Sequence, residues 1–291
     1  MADSVDKENV LLLGAVAYDP KVVTIWEGFK SYFARQGLAM DYILYSNYER
    51  QVEALLAGHI HVAWNSPLAW VRARRLAQAK GVQVEAIAMR DSDRDLTSVI
   101  VVPSDSPIQT VEDLKGWAIA VGAVDSPQAT LLPLSHLRSH GINPDVDIVV
   151  QYNNVLVGKH GDHVGGERDA AKSLFSGEAN AAAMLEANYH LFSSDGTIPA
   201  DKTRILTRTQ PFDHCNFTIT AASPRTLVDT FQSLLVEMSY DDPDVRPLCD
   251  LEGLKQWYRG RLEGYNALEK AVDDADFYDQ QGNIVVDEYD Y

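Results

Sequence analysis

The sequence predicts an α/β fold arranged as two lobes. Three observations carry that prediction. Between residues 10 and 89, short apolar runs alternate with amphipathic segments in the order strand, helix, strand, helix, strand, helix, strand. The cluster Pro103-Ser-Asp-Ser-Pro107 then interrupts the pattern, and a second alternation follows it. The chain has 291 residues, 46% hydrophobic and 23% charged, which suffices for two packed cores.

Each element has its own signal. Residues 10–16 form a continuous apolar run ending at Tyr18-Asp19-Pro20, a buried strand and its loop. Residues 22–36 place Val23, Ile25, Trp26, Phe29 and Phe33 near helical spacing, and Gly37 stops them. A strand at 41–45 precedes a helix that Asn47 or Glu49 opens and Gly58 closes. Residues 61–64 form a strand ending in Asn65-Ser66-Pro67, followed by a helix over 68–79 and a strand over 84–89. This order implies parallel pairing. The β-branched run 96–102 leads to the Pro103 cluster, and Thr110 caps a one-turn helix. Strands are expected at 117–121, 148–150 and 181–185, with helical segments at 131–138 and 170–175. A β-rich run at 212–220 and helical segments at 225–237 and 251–268 close the series. The expected division is lobe 1 from residues 1–103 plus 213–291, and lobe 2 from 104–212, with no internal repeat.

Bulk properties exclude several functions. A net charge of −17 argues against nucleic acid and anionic membranes, which need clustered Lys and Arg. Two distant cysteines, Cys215 and Cys249, make neither a metal motif nor a disulfide framework, though one bridge stays open. No apolar run is long enough to span a bilayer. The first residues show no basic-then-apolar leader, so the expectation is a cytoplasmic protein, or a periplasmic or extracellular one whose signal has been removed. The tail, 273–291, holds seven acidic residues and no Lys or Arg, and reads as solvated or frayed, with Ile284-Val-Val286 able to dock on the body.

The stretch Gly122-Ala-Val-Asp-Ser-Pro-Gln-Ala-Thr-Leu-Leu-Pro133 is the candidate binding loop. A strand leads in and a helix leads out, so free helical N–H groups face a crevice that suits an anionic or polar group. Asp125 or Ser126 equally suits an ordinary N-cap, with Pro127 in the first turn.

Three motifs resemble those of a known family. Tyr48-Glu-Arg-Gln-Val-Glu-Ala-Leu-Leu-Ala-Gly58 followed by His61-Val-Ala-Trp-Asn-Ser-Pro67 is similar to a pattern in solute-binding proteins. Val111-Glu-Asp-Leu-Lys-Gly-Trp-Ala-Ile-Ala120 resembles the entry to the second lobe of type 2 periplasmic binding proteins. Ala170-Ala-Lys-Ser-Leu-Phe-Ser-Gly-Glu-Ala-Asn-Ala-Ala182 resembles a segment of the same group. Together they look most like the phosphate/phosphite/phosphonate-binding subgroup of ABC-transporter receptors, over roughly residues 10–270.

The resemblance implies a type 2 clamshell with mixed sheets flanked by helices, and a small ligand held in the cleft between its lobes. An ABC permease is the implied partner. Two departures from the family pattern alter the expected specificity. Pro127 and Gln128 follow Ser126 where the family's loop is rich in Ser and Thr. Glu167 stands where members usually carry a His, and Asn180 where they carry an aspartate; His160 and His163 lie just upstream. A carboxylate repels a dianion, so a zwitterionic, cationic or neutral polar ligand fits better than phosphonate. The expected ligand contacts are Tyr18, Tyr48, Asn65, Ser66, Ser126, Gln128, Glu167 and Glu186. Trp64 and Trp70 read as core, with Trp64 also suited to stacking on a ring.

No catalytic residue, metal or cofactor is expected. His160-Gly-Asp-His163 lacks further ligands, and His214-Cys215, read as adjacent strand residues, point to opposite faces. A non-enzymatic solute-binding protein is therefore favoured. The alternatives are an intracellular enzyme on the same scaffold, of lyase or biosynthetic type, and a cytoplasmic ligand sensor.

Overall fold

The structure, a computed structural model, describes residues 9–199, 201–287 and 289–291. In chain order the elements are β1 (Leu11–Val16), α1 (Lys21–Arg35), β2 (Met40–Tyr45), α2 (Tyr48–Leu56), β3 (Val62–Asn65), α3 (Pro67–Ala79), β4 (Val84–Arg90), β5 (Ser98–Pro103), β6 (Ala118–Val121), α4 (Leu132–Ser139), β7 (Val149–Tyr152), α5 (Gly165–Ser176), β8 (Ala181–Leu185), α6 (Glu186–Ser194), β9 (Thr203–Arg208), β10 (Asn216–Thr220), α7 (Arg225–Glu237), α8 (Arg246–Glu252), β11 (Trp257–Arg259) and α9 (Asn266–Asp274).

They fall into two compact units. The first takes the chain up to Arg94, then His214–Glu263 and Gln280–Asn283; the second takes Asp95–Asp213, Gly264–Asp279 and Ile284–Tyr291. Among the described residues no helix is long and apolar enough to cross a membrane.

The first unit has a six-stranded mixed sheet, ordered β11-β4-β10-β3-β1-β2. β1 pairs in parallel with β2 and β3, while β10 runs antiparallel to both β3 and β4. The parallel series expected for the N-terminal strands thus stops at β3, because β10 inserts before β4. α1 buries Val22, Ile25, Trp26, Phe29, Tyr32 and Phe33, the 3–4 residue spacing of one helical face. Phe217 of β10 is the hub of the aromatic core, with its ring 4.6 Å from Trp64, 5.0 Å from Phe231 and 5.3 Å from Trp257. Phe217→Ala is expected to cost roughly 3–5 kcal/mol, from lost burial and the cavity left behind. Denaturant titration of the purified chain reads this directly, and Phe217→Leu should lose well under half as much.

The second unit has a five-stranded sheet, ordered β7-β6-β8-β5-β9. β6 is parallel to β7 and β8; β5 is antiparallel to β8 and β9. The Ala-rich β8 is buried along Ala181–Met184, where small side chains let α5 pack closely on the sheet.

Four expectations need correction. The first crossing falls after Arg94 rather than at 103, because the β-branched run of β5 completes the second sheet. The last segment, 213–291, completes the first unit only in part: His214–Glu263 and Gln280–Asn283 join it, but Gly264–Asp279 and Ile284–Tyr291 join the second unit, where α9 buries Leu268, Ala271 and Val272 and its Asp274 accepts a 2.5 Å hydrogen bond from Ser135 of α4. Residues 251–268 are not one helix. Gly253 takes a left-handed φ of 75° that ends α8, and Trp257–Arg259 then pairs with β4. The tail is docked rather than frayed: Tyr278 bridges Ile284, and the ring of Tyr289 lies 5.0 Å from that of Phe277. Two elements carried no signal that was read, α6 and β9.

Candidate ligand-binding site

The candidate loop follows β6 in the second unit. Ser126 is the N-cap, its Oγ accepting from the Ala129 N–H at 3.2 Å, and Pro127 enters the first turn. That turn, Pro127–Leu131, is π-helical and runs into α4. Single π turns inside helices are often found at functional sites. Asp125 is fully buried and takes a different role from capping. Its Oδ2 accepts from the backbone N–H of Gly158 at 2.6 Å and of His160 at 3.2 Å, and from the Tyr289 hydroxyl at 3.2 Å. The long loop after β7 is thereby folded onto the candidate loop. Asn153 and Asn154 stitch the same two loops together by binding Val121 O and Val124 N.

Gln128 is the centre of the arrangement. Its Nε2 donates to Gly161 O at 2.7 Å and to Glu167 Oε1 at 3.2 Å. Both partners are acceptors, so the amide cannot be flipped. Its Oε1 is then fixed as an acceptor, and it is buried with no hydrogen-bond partner among the described residues. Gly161, with φ of 70°, packs directly on this group. A Cβ there would fall 2.9 Å from Gln128 Nε2 and closer still to Ser126 Oγ, so only glycine fits.

Glu167, in the first turn of α5, is 2% exposed. Besides Gln128, its other oxygen accepts from the Leu185 N–H and from Asn188 Nδ2, both at 2.9 Å. The carboxylate joins α5, the start of α6 and the π turn. Glu186 lies at the head of α6, where its carboxylate accepts from Arg208 Nε at 2.9 Å and Thr97 Oγ1 at 2.6 Å. The Arg208 bond, and then the Thr97 bond, hold its carboxyl below the ordinary range against the opposing effect of burial. Asn180 is a sheet brace, exchanging bonds with the backbone of Ala118. His163 Nδ1 accepts from Gly165 N–H at 3.2 Å, which fixes its tautomer.

In the first unit, the other predicted residues gather at the C-terminal ends of β1, β2 and β3. Asn65 sits in a fully buried polar chain. Gln51 Nε2 donates to Asn65 Oδ1 at 2.8 Å, Asn65 Nδ2 to Thr218 Oγ1 at 2.9 Å, and Thr218 Oγ1 to Asn216 Oδ1 at 2.7 Å. Ser66 caps α3 through Ala69 N–H. Tyr48 is enclosed among Val16, Val52, Ala69 and Ala73, a packing role. Tyr18 is half-buried against the first core, with the Lys21 ammonium 5.8 Å above its ring. Trp64 and Trp70 are buried, and the Arg90 guanidinium lies over the Trp64 ring.

Ser126, Gln128 and Glu167 are thus brought together in the second unit, and Asn65 and Ser66 in the first. Sequence reasoning missed Gln51, Asp125, Asn188 and Thr218 as partners. Asp125 was visible in the loop, but its contacts come from residues more than thirty positions away.

A sequence profile of the ABC-transporter phosphonate periplasmic substrate-binding proteins matches residues 15–265. The chain belongs to that family. PhnD1 of Prochlorococcus marinus, solved with methylphosphonate, has 18% identity and a TM-score of 0.67, over 92% of this chain and 98% of its own. XAC2383 of Xanthomonas citri, bound to ATP, has 16% identity and a TM-score of 0.67, over 92% and 97%. The periplasmic aliphatic sulphonate binding protein SsuA of Escherichia coli has 17% identity and a TM-score of 0.57, over 92% and 86%. At these identities the likeness is one of fold, that of the two-lobed type 2 binding proteins. Membership of the family implies a small-molecule ligand and a permease partner.

Proposed function

We propose that the chain is a solute receptor whose ligand presents a hydrogen-bond donor, an ammonium or hydroxyl group, to Gln128. Methylphosphonate and other fully ionised oxyanions are not its preferred ligands. The observation that carries this reading is Gln128 Oε1, a buried acceptor with no partner among the described residues and an orientation fixed by its own Nε2. A buried polar atom left in that state costs about 1–3 kcal/mol, which a bound donor recovers. Asp125 and Glu167 add two carboxylates beside the same loop, and they disfavour a dianion there. The solved structures of this fold carry different ligands, methylphosphonate in one and ATP in another, so the scaffold does not dictate one chemistry.

The test is a thermal-shift panel on the full chain. It compares methylphosphonate and inorganic phosphate with an aminoalkylphosphonate, a primary alkylamine and a small polyol. An amine- or hydroxyl-bearing compound should raise Tm, and Gln128→Met should weaken its binding at least about tenfold while the chain stays folded. Methylphosphonate raising Tm most, with Gln128→Met binding it as well as the parent, would overturn the reading.

A further inference from the structure

The first unit holds a second cluster of polar groups. Arg90 ends β4, Asp93 lies in the 3₁₀ turn after it, His214 and Cys215 lead into β10, and Glu252 ends α8. The expectation that His214 and Cys215 diverge is corrected here. Both precede the strand, so strand alternation does not apply to them. His214 Nδ1 lies 3.1 Å from Cys215 Sγ and 3.5 Å from Asp93 Oδ1.

We propose that Asp93, His214 and Cys215 bind one borderline-soft divalent cation of the zinc type. Their ligand atoms, one oxygen, one nitrogen and one sulfur, all lie within 4.8 Å of one another. Zinc bonds of about 2.0–2.3 Å place tetrahedral donors roughly 3.3–3.6 Å apart, so only a small adjustment is needed. The same ring nitrogen faces both the thiol and the carboxylate. A nucleophile relay would use one imidazole nitrogen for the thiol and the other for the acid. One oxygen, one nitrogen and one sulfur within 4.8 Å of one another suit a metal ion better than such a relay.

Charge favours a cation as well. Arg90 donates to both Asp93 and Glu252, so its single charge is shared between two carboxylates. Arg90 takes one lone pair of Asp93 Oδ1 through Nη2 at 2.8 Å, and a carboxylate oxygen has a second to offer. Cys215 would lose its thiol proton to solvent on binding, as thiolate ligands do. Asp93 and Cys215 are 1% and 2% exposed, but the His214 side chain keeps 11% exposure, which gives an ion its route inward. Cys249, the other buried thiol, lies outside this group of donors and supplies an internal control.

The experiment adds Zn²⁺ or Co²⁺ to chelator-treated full-length chain. The expected result is about one equivalent bound and, with Co²⁺, a thiolate-to-metal charge-transfer band in the near ultraviolet that Zn²⁺ abolishes. Cys215→Ser should eliminate the band, His214→Gln should weaken binding at least about tenfold, and Cys249→Ser should change neither. Circular dichroism confirms that each variant is folded. No band in the parent chain, or a band that survives Cys215→Ser, overturns the proposal. If Cys215→Ser does not fold, His214→Gln decides: Co²⁺ affinity equal to that of the parent overturns it too.

Discussion

Arg90→Ala destabilises the first unit by roughly 3–5 kcal/mol, the cost of removing one partner from a buried ion pair. Its guanidinium donates through Nε to Asp93 Oδ2 at 2.5 Å and through Nη2 to Oδ1 at 2.8 Å. Nη1 reaches the Glu252 carboxylate at 3.1 Å and its backbone oxygen at 2.8 Å, and the group lies 5.1 Å from the Trp64 ring centre. Alanine would take this guanidinium away from two buried carboxylates. Lysine restores the charge but not the planar fork, so Arg90→Lys should recover only part of the loss.

The pH dependence separates this from a plain packing defect. Burial by itself would push the Asp93 carboxyl up, but the charge of Arg90 and its hydrogen bonds outweigh burial and hold it at about 2, against an ordinary 3.8. A folded-state value below the unfolded one stabilises above pH 3.8, and that stabilisation fades as pH falls toward and through about 2. It amounts to about 2 kcal/mol. In Arg90→Ala burial acts without the cation, so the carboxyl rises and the sign reverses: the variant loses stability as pH rises. The gap between parent and variant should therefore be widest near neutrality and narrow below about pH 4. Urea titrations across pH 3–7 measure it. A gap that stays constant with pH would mean that lost packing, not charge, sets the cost.

Periodicity is a local signal, and it located the elements whose burial follows from one face. The apolar spacing of α1 and the short runs of β1, β3 and β8 needed nothing beyond their own residues. Pairing partners are not local. β4 reads like another member of a parallel series, yet it joins the sheet through β10, more than 120 residues later in the chain. The Pro103 cluster looks like a lobe boundary because Pro and Ser mark turns, but it ends a strand inside the second sheet. The helical reading of 251–268 failed for a related reason: the apolar residues do recur, but Gly253 breaks the helix and Trp257 is claimed by β4 and the aromatic core.

The site divides in the same way. Ser126 and Gln128 were visible as polar residues between a strand and a helix. The acceptor that Gln128 leaves open depends on Gly161 and Glu167, which lie 33 and 39 positions away. Tyr48 matched a family position, but its burial beside Val52 and Ala69 could only be seen once α2 and α3 were packed together. The convergence of His214 with Cys215 required knowing that β10 starts one residue later, at Asn216.

Glu167→Gln, although isosteric, should destabilise the second unit by about 1–3 kcal/mol. The carboxylate accepts from Gln128 Nε2, the Leu185 N–H and Asn188 Nδ2, three donors on its two oxygens. A glutamine must aim its own NH₂ at one side or the other, so either orientation sets donor against donor. Glu167→Ala removes all three bonds and should cost about 3 kcal/mol or more. Gln128 is thereby released, and the Gly161 loop with it. Hydrogen exchange should show protection falling over residues 126–131 and 158–165, while the β1–β3 amides of the first unit keep theirs. Binding of any ligand found in the thermal-shift panel should fall in parallel, at a temperature where the variant is still folded. Equal stability of Glu167→Gln and the parent, with affinity alone changed, would instead make Glu167 a direct ligand contact. Its bonds to Gln128, Leu185 and Asn188 tie three separate elements together, so the expected result is loss of stability and of the Gln128 orientation together.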